Sequence, residues 1–398
     1  MSMGRILIFL LFLYISVSLY WIIIPKRFRS LFLLGCSIIF IAALNLEYLL
    51  YFLANVAFVY GAKTYIGKKA ANKGWVLSAT VVWLVANLCL FKYHDIFINL
   101  LSMFGVKFPP AQAAGIYSIV LPLGLSYIIF RLIHYVVESY RGNIPESSFV
   151  DFAMYVLFFP TFLAGPVDRF PRVYSQTAQG KDFVITDFNY GLFRIASGII
   201  KKFLISDSLA KVIMPILYAP QANSRPVLIA SIYGLAIQVY LDFAGYTDMA
   251  IGISRLFGYT IMENFDRPFL KKNIALFWRS WHISVYSWIR DYFFFPIFGY
   301  KASNFKIYLG IFCSMMVFML WHKGNINFLL LGIYHGTGLI AWYLFQEVKR
   351  KHLFIRNLFA RPYLDPLSVF VTFNFVSFGF IIFSLNLHEI NMLLRRLL

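Results

Sequence analysis

The feature that most limits how this chain can fold is its succession of apolar runs, each about long enough to cross a bilayer. They fall near residues 5–24, 30–44, 47–62, 75–92, 116–138, 190–218, 226–257, 305–321, 326–346 and 367–387. A spanning helix needs about 20 mostly apolar residues, and lipid offers no partner for unpaired backbone groups. The chain therefore reads as an all-α polytopic membrane protein of about 10–11 transmembrane helices. Composition agrees, because 60% of the 398 residues are hydrophobic, against roughly 45–50% in soluble domains. Shorter apolar pieces at 96–106, 152–165 and 283–300 read as re-entrant or interfacial helices.

A net charge of +19 is explained by topology and does not call for nucleic acid. The basic residues gather at the ends of the runs: Lys26, Arg27 and Arg29; Lys63, Lys68, Lys69 and Lys73; Arg267, Lys271 and Lys272; Lys349, Arg350 and Lys351. Such clusters mark cytoplasmic loops. Alternation from them puts the N-terminus outside and the loops near 20–30, 63–74, 139–190, 258–283 and 347–366 inside. The tail with Arg395 and Arg396 then falls outside, against the rule, which calls for a further or re-entrant segment.

The first run comes after only Met1–Arg5 and lacks a small-residue cleavage site, so it reads as a retained span. Cys36, Cys89 and Cys313 lie in apolar runs without paired spacing, which argues against disulfides and zinc. No long soluble segment or internal repeat is evident, so the chain reads as a single membrane domain over 1–398.

One segment breaks the apolar pattern: ENFDRPFLKKNIALFWRSWHISVYSWIRDYFFFPIFG, residues 263–299. Ionisable groups at membrane depth are costly and are functional candidates by default. A solvated loop would account for its basic run. It does not account for Trp278, Trp281, His282 and Trp288 standing so close together.

Of the seven histidines, three matter. His322 ends an apolar run in MLWHKG, His282 lies in FWRSWHIS, and His335 sits inside the next run in LLLGIYHGTGL. A histidine within a membrane helix usually hydrogen-bonds between helices, which is the plain alternative for His335. His94, His352 and His388 stand at loop edges or near the terminus, and His134 has no neighbour that sequence can name. His322 differs because a polar turn, Lys323–Asn327, comes directly after it and could open on a cavity. An imidazole titrates near 6.5 and suits a general base that takes a proton from a hydroxyl. No serine in a nucleophile-elbow context competes with it. These features alone leave a membrane enzyme and a transporter both open.

The order and wording of the polar segments resemble the membrane-bound O-acyltransferase family, in its bacterial branch of alginate O-acetylation and D-alanyl transfer proteins. The matching pieces are LPLGLSY (121–127), FFPTFLAGPVDRF (158–170), GIIKKFLISD (198–207), DFAGYTDMAIG (242–252), ENFDRPF (263–269), FWRSWHIS (277–284), WIRDY (288–292), LWH (320–322) and GIYHG (332–336). They run in order from about residue 90 onward. The resemblance implies His322 as the catalytic residue and His282 as the second polar member of the site. Supporting roles fall to His335, Trp281, Trp278, Asn264, Arg279 and Asp291, and donor binding to Arg267, Lys271 and Lys272. One departure stands beside the motif: Lys323 replaces the family's glycine, with Gly324 next in the chain.

The family fold is a ring of helices around a membrane-embedded tunnel. By that likeness residues 1–115 are N-terminal helices, 116–346 the catalytic core, and 347–398 a C-terminal loop and helix. No cofactor is expected to stay bound. The donor would be an acyl thioester, either acetyl-coenzyme A or a phosphopantetheine carrier protein, entering from the cytoplasm. An acceptor hydroxyl on an extracytoplasmic cell-envelope polymer would approach from the other side, with an extracytoplasmic acyltransferase or small membrane acceptor protein as partner. Membrane lipid is a further partner and nucleic acid is not. The expected place is the inner or plasma membrane.

Asp242, Tyr246, Asp248, Arg279, Arg290 and Asp291 also read as structural pairing groups. Lys201 and Lys202 read as snorkelling to an interface, with contact to donor phosphates as the second reading, and Pro160, Gly165 and Pro166 as shaping a re-entrant turn. KKFLISD, GYTDMAIG and ESYRG look like the acetylation branch. The PFLKKNI segment, the VTFNFVSFGFIIFS end and the short length look like the D-alanyl branch. Acetyl transfer is the first reading and D-alanyl transfer the second, and the enzyme class accords with the first: acyl groups other than aminoacyl or D-alanyl. A transporter that exports an activated precursor is the competing class.

Overall fold

The protein is described by a computed structural model that covers residues 3–68, 72–104, 122–178, 180–300 and 303–398. Every extended element among the described residues is helical, apart from an isolated antiparallel bridge between Phe265 and Trp281. Among the described residues seven helices are long and apolar enough to cross a membrane: Lys26–Leu44, Leu46–Gly67, Lys73–Lys92, Arg225–Leu256, Asn304–His322, Ile326–Lys351 and Pro362–Ser384. Each matches one of the apolar runs. Two shorter apolar helices, Ile6–Ile22 and Phe149–Thr161, match the first run and the piece at 152–165.

Two runs behave differently. The run at 190–218 is divided into Ile185–Ile199, a π-helical stretch Ile200–Ser206, and Asp207–Tyr218. Asp187, Arg194, Lys201, Lys202, Asp207 and Lys211 deny it the continuous apolar surface a lipid-facing span needs. The run at 116–138 begins outside the described residues, as does the first residue of LPLGLSY. Its described part enters helix Leu125–Arg141, whose buried face carries Arg131, His134 and Glu138.

The chain divides into two compact units. The first comprises Met1–Ala196 and Asp248–Met262. Its core is organised around Arg131, only 2% exposed. That guanidinium donates to the carbonyls of Tyr155 (3.2 Å), Val156 (2.9 Å) and Thr161 (2.9 Å) and to the Thr161 hydroxyl (2.6 Å). It thereby satisfies the carbonyls left over where helix Phe149–Leu157 gives way to the turn Phe159–Thr161. Gly165 closes that turn so tightly that an added Cβ would lie 2.5 Å from Thr161 Cα. His134 gains its neighbour here, because its Nε2 accepts from the Phe170 amide at 2.9 Å. Arg194 pairs with Asp248 at 2.5 Å.

The second unit comprises Ser197–Thr247 and Glu263–Leu398. Lys202 belongs to it, and its ammonium donates to Asp207 at 3.0 Å and also to Asp242. That pairing gives Asp242 the structural role read for it. Helix Asn304–His322 stops where Lys323 turns extended, and Asn325 caps the next helix by accepting from the Phe328 amide at 3.1 Å.

Candidate functional site

The segment that stood out in sequence folds back on itself within the second unit. Residues 264–266 run antiparallel to 280–284, joined by Asp266 N to Ser280 O (3.1 Å) and Ile283 N to Asn264 O (3.0 Å). Asn264 is fully buried. Its Oδ1 accepts from the Ser284 amide at 3.2 Å, and its Nδ2 reaches the Thr247 hydroxyl at 3.4 Å. The side chain and main chain of one asparagine thus hold both amides that come directly after His282.

His282 itself has φ 47° and ψ 50°, the left-handed region that a residue with a Cβ rarely adopts. Its carbonyl accepts from Val285 and Tyr286 and starts helix Ile283–Ile289. Strained backbone persists where the surroundings over-determine it, commonly at functional sites. The consequence is positional: a sharp turn delivers the imidazole into the unit's interior, where it is 1% exposed.

There His282 meets His322, with ring centroids 6.0 Å apart. His322 is the last residue of helix Asn304–His322 and half-buried. Phe318, one turn earlier on the same helix, lies 5.4 Å from His322, 5.8 Å from His282 and 5.2 Å from Trp278. Trp278 in turn stands edge-on to His335 at 4.9 Å. The three histidines singled out in sequence, with Trp278, therefore form one continuous cluster. Nothing in the sequence named Phe318 as its centre. The only available signal was its place four residues before His322, which puts both on one helix face.

Several polar atoms in this cluster are buried without a hydrogen-bond partner: both ring nitrogens of His282, Nε1 of Trp278 and Nδ1 of His335. Buried polar atoms are nearly always paired, and each exception calls for a water, a ligand or a catalytic role. These atoms all belong to the cluster that Phe318 and Trp278 join to His322.

The remaining candidates lie elsewhere. Trp281 is packing: it stacks on Phe277 (5.5 Å) and meets Phe265 (5.0 Å) and Phe380 (5.2 Å) edge-on or tilted. Arg279 is exposed and reaches Tyr286, while Asp291 takes a 2.8 Å contact from Arg290. Among the donor-binding candidates, Lys271 pairs with Asp266 at 2.8 Å, which holds that carboxyl below the usual carboxylate range, and Lys272 pairs with Asp365. Arg267 is exposed, with φ 43° just before Pro268.

The match to known proteins now bears on this geometry. The description "MBOAT, membrane-bound O-acyltransferase family" matches residues 100–386. The chain belongs to the membrane-bound O-acyltransferase family. It is 34% identical to "Probable alginate O-acetylase AlgI" of Azotobacter vinelandii over 337 residues, 83% of this chain and 66% of that relative. It is 28% identical to the teichoic acid D-alanyltransferase of Streptococcus thermophilus over 395 residues, 92% of this chain and 91% of the relative. A peptidoglycan O-acetyltransferase of Helicobacter pylori is 27% identical over 385 residues, 88% of this chain and 69% of its own length. The chain spans 63% to 68% of the length of the alginate O-acetylases it matches. Setting D-alanyl transfer aside finds no support here, since D-alanyltransferases stand among the relatives.

Lys323, where the family motif has glycine, adopts φ −157° and ψ 135°. Any residue takes that extended conformation without strain. Lys323→Gly is accordingly expected to change activity and melting temperature little, within roughly twofold and 0.5 kcal/mol, as for ordinary surface substitutions. Thioester consumption and a detergent melting curve check it.

Proposed function

We propose that this protein is a multi-pass O-acyltransferase of the plasma membrane. It passes a small acyl group from a cytoplasmic thioester donor to an extracytoplasmic hydroxyl, on a cell-envelope polymer or on a partner that acylates one. The observation that carries the reading is the placement of His282 beside His322, ring centroids 6.0 Å apart, in a family named for acyl transfer to oxygen.

In the proposed reaction His322 takes the proton of the acceptor hydroxyl, whose oxygen attacks the thioester carbonyl. The tetrahedral oxyanion that forms needs a preorganised donor. His282 supplies it from a neutral imidazole, one nitrogen of which carries a proton and has no competing protein partner. Collapse expels the thiolate, which takes the proton back from His322. No metal is required.

Acetyl is the first reading for the acyl group, supported by the alginate O-acetylases at 32% to 34% identity. D-alanyl is the second, and a specific observation favours it: the Streptococcus thermophilus D-alanyltransferase matches this chain over 92% of its length and 91% of its own. Purified protein offered acetyl-coenzyme A and then a D-alanyl-loaded carrier, each with its acceptor, is expected to consume one thioester and spare the other. Consumption of neither by folded protein with its native partner would move the assignment to a transporter of an activated precursor.

Donor capture is assigned to the basic residues of the 263–299 segment, Arg267, Lys271, Lys272 and Arg279. Arg267→Glu with Arg279→Glu is the cleaner test, because reversing Lys271 or Lys272 would also break the pairs with Asp266 and Asp365. The double variant is expected to slow donor engagement and weaken its salt dependence, with maximal turnover at saturating donor preserved. Unchanged donor KM across a salt series would remove these residues from donor capture.

A further inference from the structure

We propose a second site, in the first unit and independent of acyl transfer: a cleft that holds the headgroup phosphate of an anionic phospholipid. The cleft, about 260 Å³, lies between the end of helix Met3–Ile22, the segment 181–188 and the end of helix Arg225–Leu256. Trp21, Lys181, Asp187, Phe188, Arg255 and Gly258 line it.

Its walls are built and not incidental. Trp21 Nε1 donates to the Leu256 carbonyl at 2.7 Å, and the indole lies against Gly258, where an added Cβ would come within 3.3 Å of the ring. Gly258 has φ +81°, the conformation that lets the chain reverse directly after Arg255. Lys181 spans the turn, its ammonium donating to the Gly258 carbonyl and to Gln176 Oε1, both at 3.0 Å.

The charges around the cleft do not balance. Arg255 pairs with Asp187 at 3.1 Å and Lys26 with Asp182 at 2.7 Å. Lys181 contacts only neutral oxygens. Arg29, 8% exposed, lies over the rings of Tyr20 and Trp21 at 4.7 Å, donates to the Lys181 carbonyl at 2.6 Å, and leaves its buried Nε without a partner. Among the described residues neither Lys181 nor Arg29 has a carboxylate in ion-pair contact. Asp187 and Asp182 act on Lys181 and Arg29 at longer range, yet Lys26, Arg29, Lys181 and Arg255 outnumber these two carboxylates by two, and that positive excess attracts an anion.

The rim decides which anion. Ile22 (82% exposed), Ile23 (64%), Phe183 (49%), Val184 (48%) and Ile185 (57%) stand open around the charged floor. A soluble phosphate has no use for that apolar margin. A phospholipid matches both parts, with its phosphate on Lys181 and its acyl chains along Ile22 and the open face of helix Met3–Ile22, where Leu7, Ile8 and Leu11 are also exposed. Trp21 takes the headgroup level that tryptophans favour. Basic pockets between membrane helices bind anionic headgroups in this way.

Full-length protein in lipid nanodiscs, released into native mass spectrometry, tests the proposal. Phosphatidylglycerol is expected to be retained in preference to phosphatidylcholine. Each basic charge near a membrane surface contributes about fivefold in affinity for anionic lipid, so Lys181→Gln should weaken retention by about fivefold and Lys181→Glu by about 25-fold. Val184→Trp, which fills the cleft and leaves every charge in place, should lose the lipid as well. Melting curves show which variants fold. Equal retention of the two lipids by the parent protein overturns the proposal, as does parent-like retention by folded Lys181→Glu. If the charge variants fail to fold, retention by Val184→Trp overturns it. Competition by inorganic phosphate as strong as by short-chain phosphatidylglycerol would make the cleft a soluble-anion site and sink the lipid assignment.

Discussion

His322→Ala is expected to lower acyl transfer by on the order of 100-fold to 10,000-fold, the usual loss when a positioned general base is removed, while membrane insertion and melting temperature stay near those of the parent. The argument rests on place. His322 is half-buried at a helix end, so its removal leaves no sealed cavity. His282→Ala should also reduce turnover at saturating donor, by a smaller factor of about 100 to 1,000, as for loss of one oxyanion donor. The substitution also replaces a left-handed residue, φ 47°, so part of any loss is a fault of the turn. His282→Gly separates the two effects, because glycine takes the left-handed region freely and carries no donor, whereas asparagine tolerates that region and keeps an N–H donor. Loss in the glycine variant with partial rescue by asparagine supports the donor role, and parent-like activity in the glycine variant assigns His282 to turn geometry. His335→Ala should be the mildest of the three. Acyl transfer at parental rate in His322→Ala removes the general-base assignment, and greater loss in His335→Ala than in His322→Ala would move the base to the helix interior.

How far this was legible in sequence depends on the range of the interaction. The spans were readable because hydrophobic length is a local property, and the seven long helices fall on apolar runs. The histidines were readable because a titratable ring in an apolar chain is conspicuous. Their convergence was not: His282 and His335 meet His322 and Trp278 only through packing between separate elements. Asn264 was flagged for its polarity, yet its work, holding the Ile283 and Ser284 amides, depends on a fold-back that no periodicity announces. Trp281 drew attention for the same reason as Trp278. One is wrapped in phenylalanines and the other keeps an unpaired indole N–H among the histidines, and composition cannot tell the two apart. The pairing of Lys202 with Asp242 could not be read because the two stand 40 residues apart in the chain. Phe318 was invisible, being one more apolar residue in an apolar helix.

Arg131→Met is expected to cost the first unit on the order of 3–5 kcal/mol, the range for removing one member of a buried polar arrangement. Methionine fills much of the arginine volume, so little of the loss would come from a cavity. The cost comes from acceptors: the carbonyls of Tyr155, Val156 and Thr161 and the Thr161 hydroxyl all lose a donor. A buried acceptor left unpaired costs about 1–3 kcal/mol, more against a charged donor. Water cannot easily replace the guanidinium, since Tyr155, Val156 and Thr161 are each at most 2% exposed. Arg131→Lys keeps the charge but cannot reproduce the fork, which serves separate acceptors from two terminal nitrogens. It should therefore recover only part of the loss. Thermal melting in detergent, with the yield of monodisperse protein, reads the effect: parent first, lysine intermediate, methionine lowest. A methionine variant that melts with the parent would mean that the turn Phe159–Thr161 holds its shape without Arg131, leaving the Gly165 contact as what fixes it.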